Sequence, residues 1–285
     1  MSRPSAWVVV AAFIAASAVL VPSATPGPAR PTATLLAVGD VASCNDDADE
    51  LVAALVARTP GTVALLGDLV YDNGTADEFA RCFMPAWGRL VPRIRPALGN
   101  HDYANGASDA ATARSIFRLP AHAWYSYELG AWHVIVLNST CAEVRGCHMG
   151  SRQWLWLKHD LARHRKTRCT LAYWHQARFS SGEHGSDTTF APFWSLLSAA
   201  GADVVLSGHD HDYERFAPIE GIRSFVVGTG GRGVRPFGTI HPRSVARQAE
   251  SFGVLRLTMR PRGYSWRFLT ALGPEYGDTG SATCR

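Results

Sequence analysis

Apolar residues along this chain gather in short blocks, and most blocks break at a glycine followed by a polar residue. Thr34 to Val38 breaks at Gly39-Asp40, and Thr62 to Leu66 breaks at Gly67-Asp68. Arg95 to Leu98 leads into Gly99-Asn100-His101-Asp102; Cys169 to Trp174 stops at His175; Asp203 to Leu206 stops at Gly208-His209. Short apolar runs closed by turn residues predict strands buried on both faces. Trp124 to Leu129 and Trp132 to Leu137 flank Gly130-Ala131 as a hairpin would. Asp49 to Arg58, Gln153 to Arg163 and Phe190 to Ala200 have helical spacing, and the last third is strand-rich around Ile222 to Val227, Gly253 to Met259 and Tyr264 to Leu269. Strands alternating with helices predict an α/β core, and the strand pairs predict a mixed sheet. No internal repeat and no second domain boundary interrupts the pattern.

The N-terminus departs from it. Arg3 precedes an apolar run from Trp7 to Val21, followed by the Pro-rich stretch Pro22 to Pro31. A charged start, an apolar core and small residues after it describe a secretory signal peptide, and the run is shorter than the ~20 residues of a spanning helix. The expected organisation is a signal peptide over residues 1–24, a Pro-rich linker over 25–33 and one domain over 34–285. An uncleaved anchor is the alternative; either way the folded part lies outside the cytoplasm. Arginine is abundant and Lys158 and Lys166 are the only lysines, which suggests a GC-rich bacterial genome. Six cysteines, none in a CxxC pair, fit disulfides in an oxidising compartment. Of the fifteen possible pairings, Cys141–Cys147 is the local choice, and Cys44–Cys82 and Cys169–Cys284 complete the set. A net charge of +4 favours anionic substrates only weakly, and no concentrated basic patch indicates specific nucleic-acid binding.

Candidate chemistry comes from position. Asp40, Asp68, Asn100, His175, His209 and His211 each fall just past an apolar strand, the edge where open α/β sheets bind ligands. One such aspartate is an ordinary cap or turn residue; six potential ligands placed alike are a site. The segments GDVAS, GDLVY, GNHD, YWHQ and GHDH occur in that order between about Thr34 and Arg215. They resemble the five signature blocks of the calcineurin-like metallophosphoesterases. Tyr71, three residues after Asp68, and the absence of a histidine from Asp40-Val41-Ala42 both resemble the purple acid phosphatases within that superfamily. The match is to their short, single-domain form, because the brief linker leaves no room for the N-terminal sandwich domain of the plant type.

The resemblance implies a four-layer α/β/β/α sandwich with two mixed sheets and a metal site at the C-terminal strand ends. It implies one metal ion on Asp40, Asp68, Tyr71 and His211, and a second on Asp68, Asn100, His175 and His209, with Asp68 bridging. Phenolate and carboxylates suit ferric iron in the first position; amide and imidazoles suit a divalent ion, iron, zinc or manganese, in the second. Two such ions lower the pKa of a bound water and clamp phosphoryl oxygens, so that hydroxide attacks phosphorus in line with the leaving alkoxide. His101 is the expected general acid or phosphate contact, with Asp102 orienting it. His184, nine positions after His175 (184 − 175), is the second expected phosphate contact, as in the short purple acid phosphatases.

Gln176 and Ala177 stand where many bacterial relatives have a histidine and a proline; Gln176 can hydrogen-bond a phosphate oxygen but cannot transfer a proton. Tyr213-Glu214-Arg215 is expected to support the last block, and Gly228 to Gly233 reads as a loop near the rim of the site. The implied activity is hydrolysis of small phosphate monoesters. A phosphodiesterase or nucleotidase with the same metals is the alternative, and a non-catalytic envelope binding protein is disfavoured because every ligand position is filled.

Overall fold

Leu35-Leu36-Ala37-Val38 has no polar position. A strand sends alternate side chains to opposite faces, so both faces of this one need cover. The computed structural model describes residues 1–2, 31–45, 48–106 and 110–285. In it β1 (Ala33–Val38) buries Leu35 and Ala37 against a second sheet, and Leu36 and Val38 beneath the helix Ala48–Arg58. Residues 3–30, which hold nearly all of the expected signal peptide and the first six residues of the expected linker, lie outside the described residues.

The strands continue in chain order as β2 (Ala42–Ser43), β3 (Thr62–Leu66), β4 (Val70–Tyr71), β5 (Ile94–Ala97), β6 (Tyr125–Leu129), β7 (Trp132–Val136) and β8 (Cys169–Tyr173). After them come β9 (Val204–Ser207), β10 (Tyr213–Phe216), β11 (Arg223–Val227), β12 (Ser244–Gln248), β13 (Phe252–Arg260), β14 (Gly263–Leu272) and β15 (Thr279–Thr283). One large sheet has the order β15-β14-β13-β1-β3-β5, a second β12-β10-β11-β9-β8-β7-β6, and β2 pairs with β4 in a small third one. β1, β3 and β5 are parallel in the first; β7, β8, β9 and β11 are parallel in the second; the flanking strands run antiparallel.

Three apolar layers hold four layers of structure together, which is the α/β/β/α arrangement expected. Leu35, Leu66, Val134, Leu171 and Leu206 meet between the sheets. Val52, Ala53 and Val56 of the helix Ala48–Arg58 cover the first sheet. Leu157 and Leu161 of the helix Arg152–Arg163, with Phe193, Trp194 and Leu197 of the helix Ala191–Ala199, cover the second. Local signals agree with the helix ends. Ser151 caps Arg152–Arg163 by accepting from the Trp154 amide, and Asp49, Glu50 and Arg58 match the dipole of Ala48–Arg58.

The structure adds elements that the periodicity did not predict. β12 and β15 are outermost strands, polar and half-exposed, so they carry no apolar signature. Residues 76–93 form consecutive helical turns, where Pro85 and Pro92 disrupt the helical pattern. All three expected disulfides form: Cys44–Cys82, Cys141–Cys147 and Cys169–Cys284. No helix among the described residues is long and apolar enough to cross a membrane.

Candidate metal centre

The parallel strands of both sheets end at one edge, and their following loops meet there. Tyr71 Oη lies 2.9 Å from Asp40 Oδ1, 3.0 Å from Asp68 Oδ2 and 3.2 Å from His211 Nε2. The same Asp68 Oδ2 is 3.2 Å from His175 Nε2, which is itself 3.2 Å from His209 Nδ1. Asp68, His175 and His209 each offer a ligand atom within 4.8 Å of the others. Asp68 is therefore common to both groups.

The backbone is bent to make this possible. Asp40, Asp68 and His209 all adopt left-handed conformations, with φ of 59°, 50° and 72°. Such conformations are costly for residues with a Cβ and concentrate at functional sites. Gly99 allows the loop after β5 to approach, because a Cβ there would lie 2.1 Å from Asp68 Oδ1.

The protons do not suffice for the acceptors. Tyr71 has one hydroxyl proton facing two carboxylate oxygens and an imidazole nitrogen. His175 Nδ1 contacts the Leu66 carbonyl at 2.8 Å, and His211 Nδ1 contacts the Gly233 carbonyl at 3.0 Å. Donation through Nδ1 turns each Nε2 toward the centre, where it can ligate a metal once it carries no proton, an arrangement typical of metal-ligating histidines. Burial, opposed by His175 and reinforced by the neighbouring Asp68, pushes Asp40 up to about 7. Burial also opposes charge on Asp68 and His175, but each outweighs it for the other: Asp68 is held below the usual carboxylate range and His175 is raised to about 9. Burial lowers His209 to about 2 and His211 to about 4, and burial beside two carboxylates raises Tyr71 well above its ordinary value. Hard oxygens and imidazoles crowded in this way fit bound cations, which would take the place of the shared protons.

Asn100 and His101 lie on the same rim. The His101 amide donates to Asp68 Oδ1 at 2.9 Å, and Gln176 Nε2 lies 3.4 Å from Asn100 Oδ1. The His101 ring packs 4.4 Å from the Tyr71 ring, with Nδ1 at 2.7 Å from the Asp72 carbonyl. The expectation that Asp102 orients His101 is overturned. Asp102 points inward and accepts from the amides of Leu69 (3.0 Å) and Gly99 (2.8 Å), tying together the loops after β3 and β5. A buried carboxylate satisfied by two backbone amides has no reach to the neighbouring ring, and Asp72 fills the orienting place. His184 is exposed and stacks on His209 with ring centroids 4.2 Å apart.

A sequence model of the family described as "Calcineurin-like phosphoesterase" matches residues 33–213. The chain belongs to the calcineurin-like phosphoesterase family. Relatives of this phosphoesterase include Purple acid phosphatase 15 of Arabidopsis thaliana, 25% identical over 232 residues, covering 68% of this chain and 42% of that protein. Purple acid phosphatase 18 of the same plant is 31% identical over 195 residues, covering 59% and 43%. A purple acid phosphatase from yellow lupin seeds has the same fold, with a TM-score of 0.72 at 18% identity over 89% of this chain and 54% of that one. The phosphoesterase thus spans about half the length of these relatives.

Further side chains support the centre, the expected Glu214 among them and Ser139 in addition. Glu214 accepts from the Ser181 amide at 2.8 Å and from its hydroxyl, and Asp210 accepts from the His184 amide at 2.7 Å. Together they fix the loop that carries His184. Ser139 contacts the Gln176 side chain and accepts from its amide at 3.0 Å, turning Gln176 toward Asn100. Glu214 was expected from the last sequence block; Ser139, in a loop after β7, had no signal in the sequence.

Proposed function

We propose that this phosphoesterase hydrolyses small phosphate monoesters outside the cytoplasm, holding one metal ion on Asp40, Asp68, Tyr71 and His211 and a second on Asp68, Asn100, His175 and His209. The observation that carries the reading is the single Tyr71 proton among three acceptors at 2.9–3.2 Å, beside a carboxylate shared with two further imidazoles. Two bound ions supply Lewis-acid chemistry there, polarising phosphoryl oxygens and lowering the pKa of a water. The phenol and carboxylates of the first group suit ferric iron, and the amide and imidazoles of the second suit a divalent ion.

The chain's own groups complete the site. His101, anchored through Nδ1 to the Asp72 carbonyl, presents Nε2 as a proton donor to the leaving oxygen. His184, exposed and stacked on His209, is free to contact the phosphoryl group. Gln176 Nε2 positions Asn100 instead of transferring a proton. Three disulfides support an oxidising location.

The test is hydrolysis of phenyl phosphate against diphenyl phosphate across pH, with iron, zinc and manganese supplied. Preference for the monoester supports the reading. Preference for the diester keeps the centre and transfers the function to phosphodiesters; hydrolysis of neither overturns the proposal.

A further inference from the structure

Two arginines beside the centre belong to no step above. Gly228 to Gly233 and the two residues after it form a loop fastened to both ligand segments. The Gly230 amide donates to the Gly39 carbonyl at 3.0 Å, the Arg232 amide to the Asp40 carbonyl at 3.1 Å, and the Arg235 amide to the His211 carbonyl at 2.9 Å. Only glycine permits so close a pass, since a Cβ at residue 230 would lie 2.4 Å from the Gly39 oxygen. The side chains of Arg232 and Arg235 are thus carried on a platform indexed to Asp40 and His211. The two arginines share a cleft of about 260 Å³ with His211 and Asn45.

The Arg232 guanidinium sits 5.1 Å from the centroid of the Tyr71 ring, at the edge of the centre. It contacts Asp72 Oδ1 at 3.0 Å and Ser43 Oγ at 3.3 Å; Arg235 contacts Glu183 Oε2 at 3.0 Å. These ion pairs are open to water, with side-chain exposures of 33% and 52% for Arg232 and Asp72, and 40% and 59% for Arg235 and Glu183. Ion pairs exposed to this degree are weak, so an incoming anion can displace the carboxylates readily. Guanidinium groups match phosphate and carboxylate oxygens in a planar, bidentate fashion.

We infer that Arg232 and Arg235 form a subsite for a second anionic group, so that the preferred substrates are phosphate compounds carrying a further phosphate or a carboxylate. The inference rests on the hydrolase reading for its chemistry, in which the phosphoryl group passes to water and the rest of the substrate leaves with a proton. The cleft itself is a feature of the chain's own residues.

The test compares the metal-loaded wild type with an Arg232→Met/Arg235→Met double variant and each single variant. Phenyl phosphate has no second anion, inorganic pyrophosphate has a second phosphate, and 2-carboxyethyl phosphate has a carboxylate. The double variant should raise KM for pyrophosphate, for 2-carboxyethyl phosphate or for both at least tenfold more than it raises KM for phenyl phosphate. Which of the two responds identifies the second group. Equal changes for all three, within about twofold, would overturn the subsite. Titration calorimetry separates this inference from the hydrolase reading. Wild type should bind pyrophosphate at least tenfold more tightly than orthophosphate, and the double variant should lose that margin. A protein that hydrolyses none of the three but shows this margin keeps the subsite and loses the hydrolase reading; a margin unaffected by the substitutions refutes the subsite.

Discussion

The hydroxyl oxygen of Tyr71 lies 2.9 Å from Asp40 Oδ1, although Asp40 follows β1 and Tyr71 closes β4. The small parallel ladder pairing Ala42 with Val70 and Ser43 with Tyr71 brings them together. In the metal-free chain burial and the two carboxylates hold the phenol protonated, so a phenolate there requires a cation. Supplied with iron, the wild type should therefore show a visible phenolate-to-ferric charge-transfer band, and Tyr71→Phe should lose it. An active, colourless wild type without iron would refute the ferric assignment.

His101 and Asp102 are neighbours in sequence with separate tasks. His101→Gln should lower kcat by about 10²-fold or more for alkyl phosphates, whose leaving groups need a proton, and by less for p-nitrophenyl phosphate. Urea unfolding should register little change. Asp102→Ala leaves the Leu69 and Gly99 amides without their acceptor and should cost about 2–4 kcal/mol of stability. Substrate-dependent kinetics from Asp102→Ala with unchanged stability would contradict this division.

A second buried charge cluster governs stability against pH. His133 Nε2 is 2.6 Å from Asp160 Oδ2 and Nδ1 is 2.9 Å from Glu128 Oε1, while His164 stacks on the ring at 3.7 Å. Burial opposes the charge on His133, but its hydrogen bonds to Asp160 and Glu128 outweigh burial and raise its pKa. Burial likewise opposes the charge on Asp160, yet His133 holds it below the usual range. A raised histidine stabilises fully below its unfolded pKa of about 6.5 and loses that contribution as pH rises through the folded value. A depressed aspartate stabilises above about 3.9 and loses its contribution as pH falls. The pair thus contributes most between about pH 4 and 6.5. His133→Leu should cost about 3 kcal/mol at pH 6, and the gap to wild type should narrow at pH 9. Urea unfolding at the two pH values checks this; an equal gap at both would contradict it.

Much of this centre was legible in the sequence, because a buried strand that ends in Gly-Asp or in histidine announces a polar residue at a sheet edge. Asp40, Asp68, Tyr71, His175, His209 and His211 converge as their blocks implied. What stayed hidden depended on side-chain direction and long-range contact. Adjacency suggested that Asp102 serves His101, but only the fold shows Asp102 turned toward Leu69 and Gly99. Nothing in sequence spacing sets Arg232 and Arg235 apart, whereas the fold bonds the loop carrying them to the Asp40 and His211 carbonyls. β12 and β15 were invisible because an outermost strand with half-exposed polar residues has no apolar alternation to read.

The claim that Asp68 joins two metal positions is tested most directly by metal titration of the stripped chain, following bound metal and phenyl phosphate hydrolysis together. Two ions should bind per chain, activity should follow occupancy, and Asp68→Ala should lose both ions. Full activity in the stripped chain, or full metal content in Asp68→Ala, would contradict it.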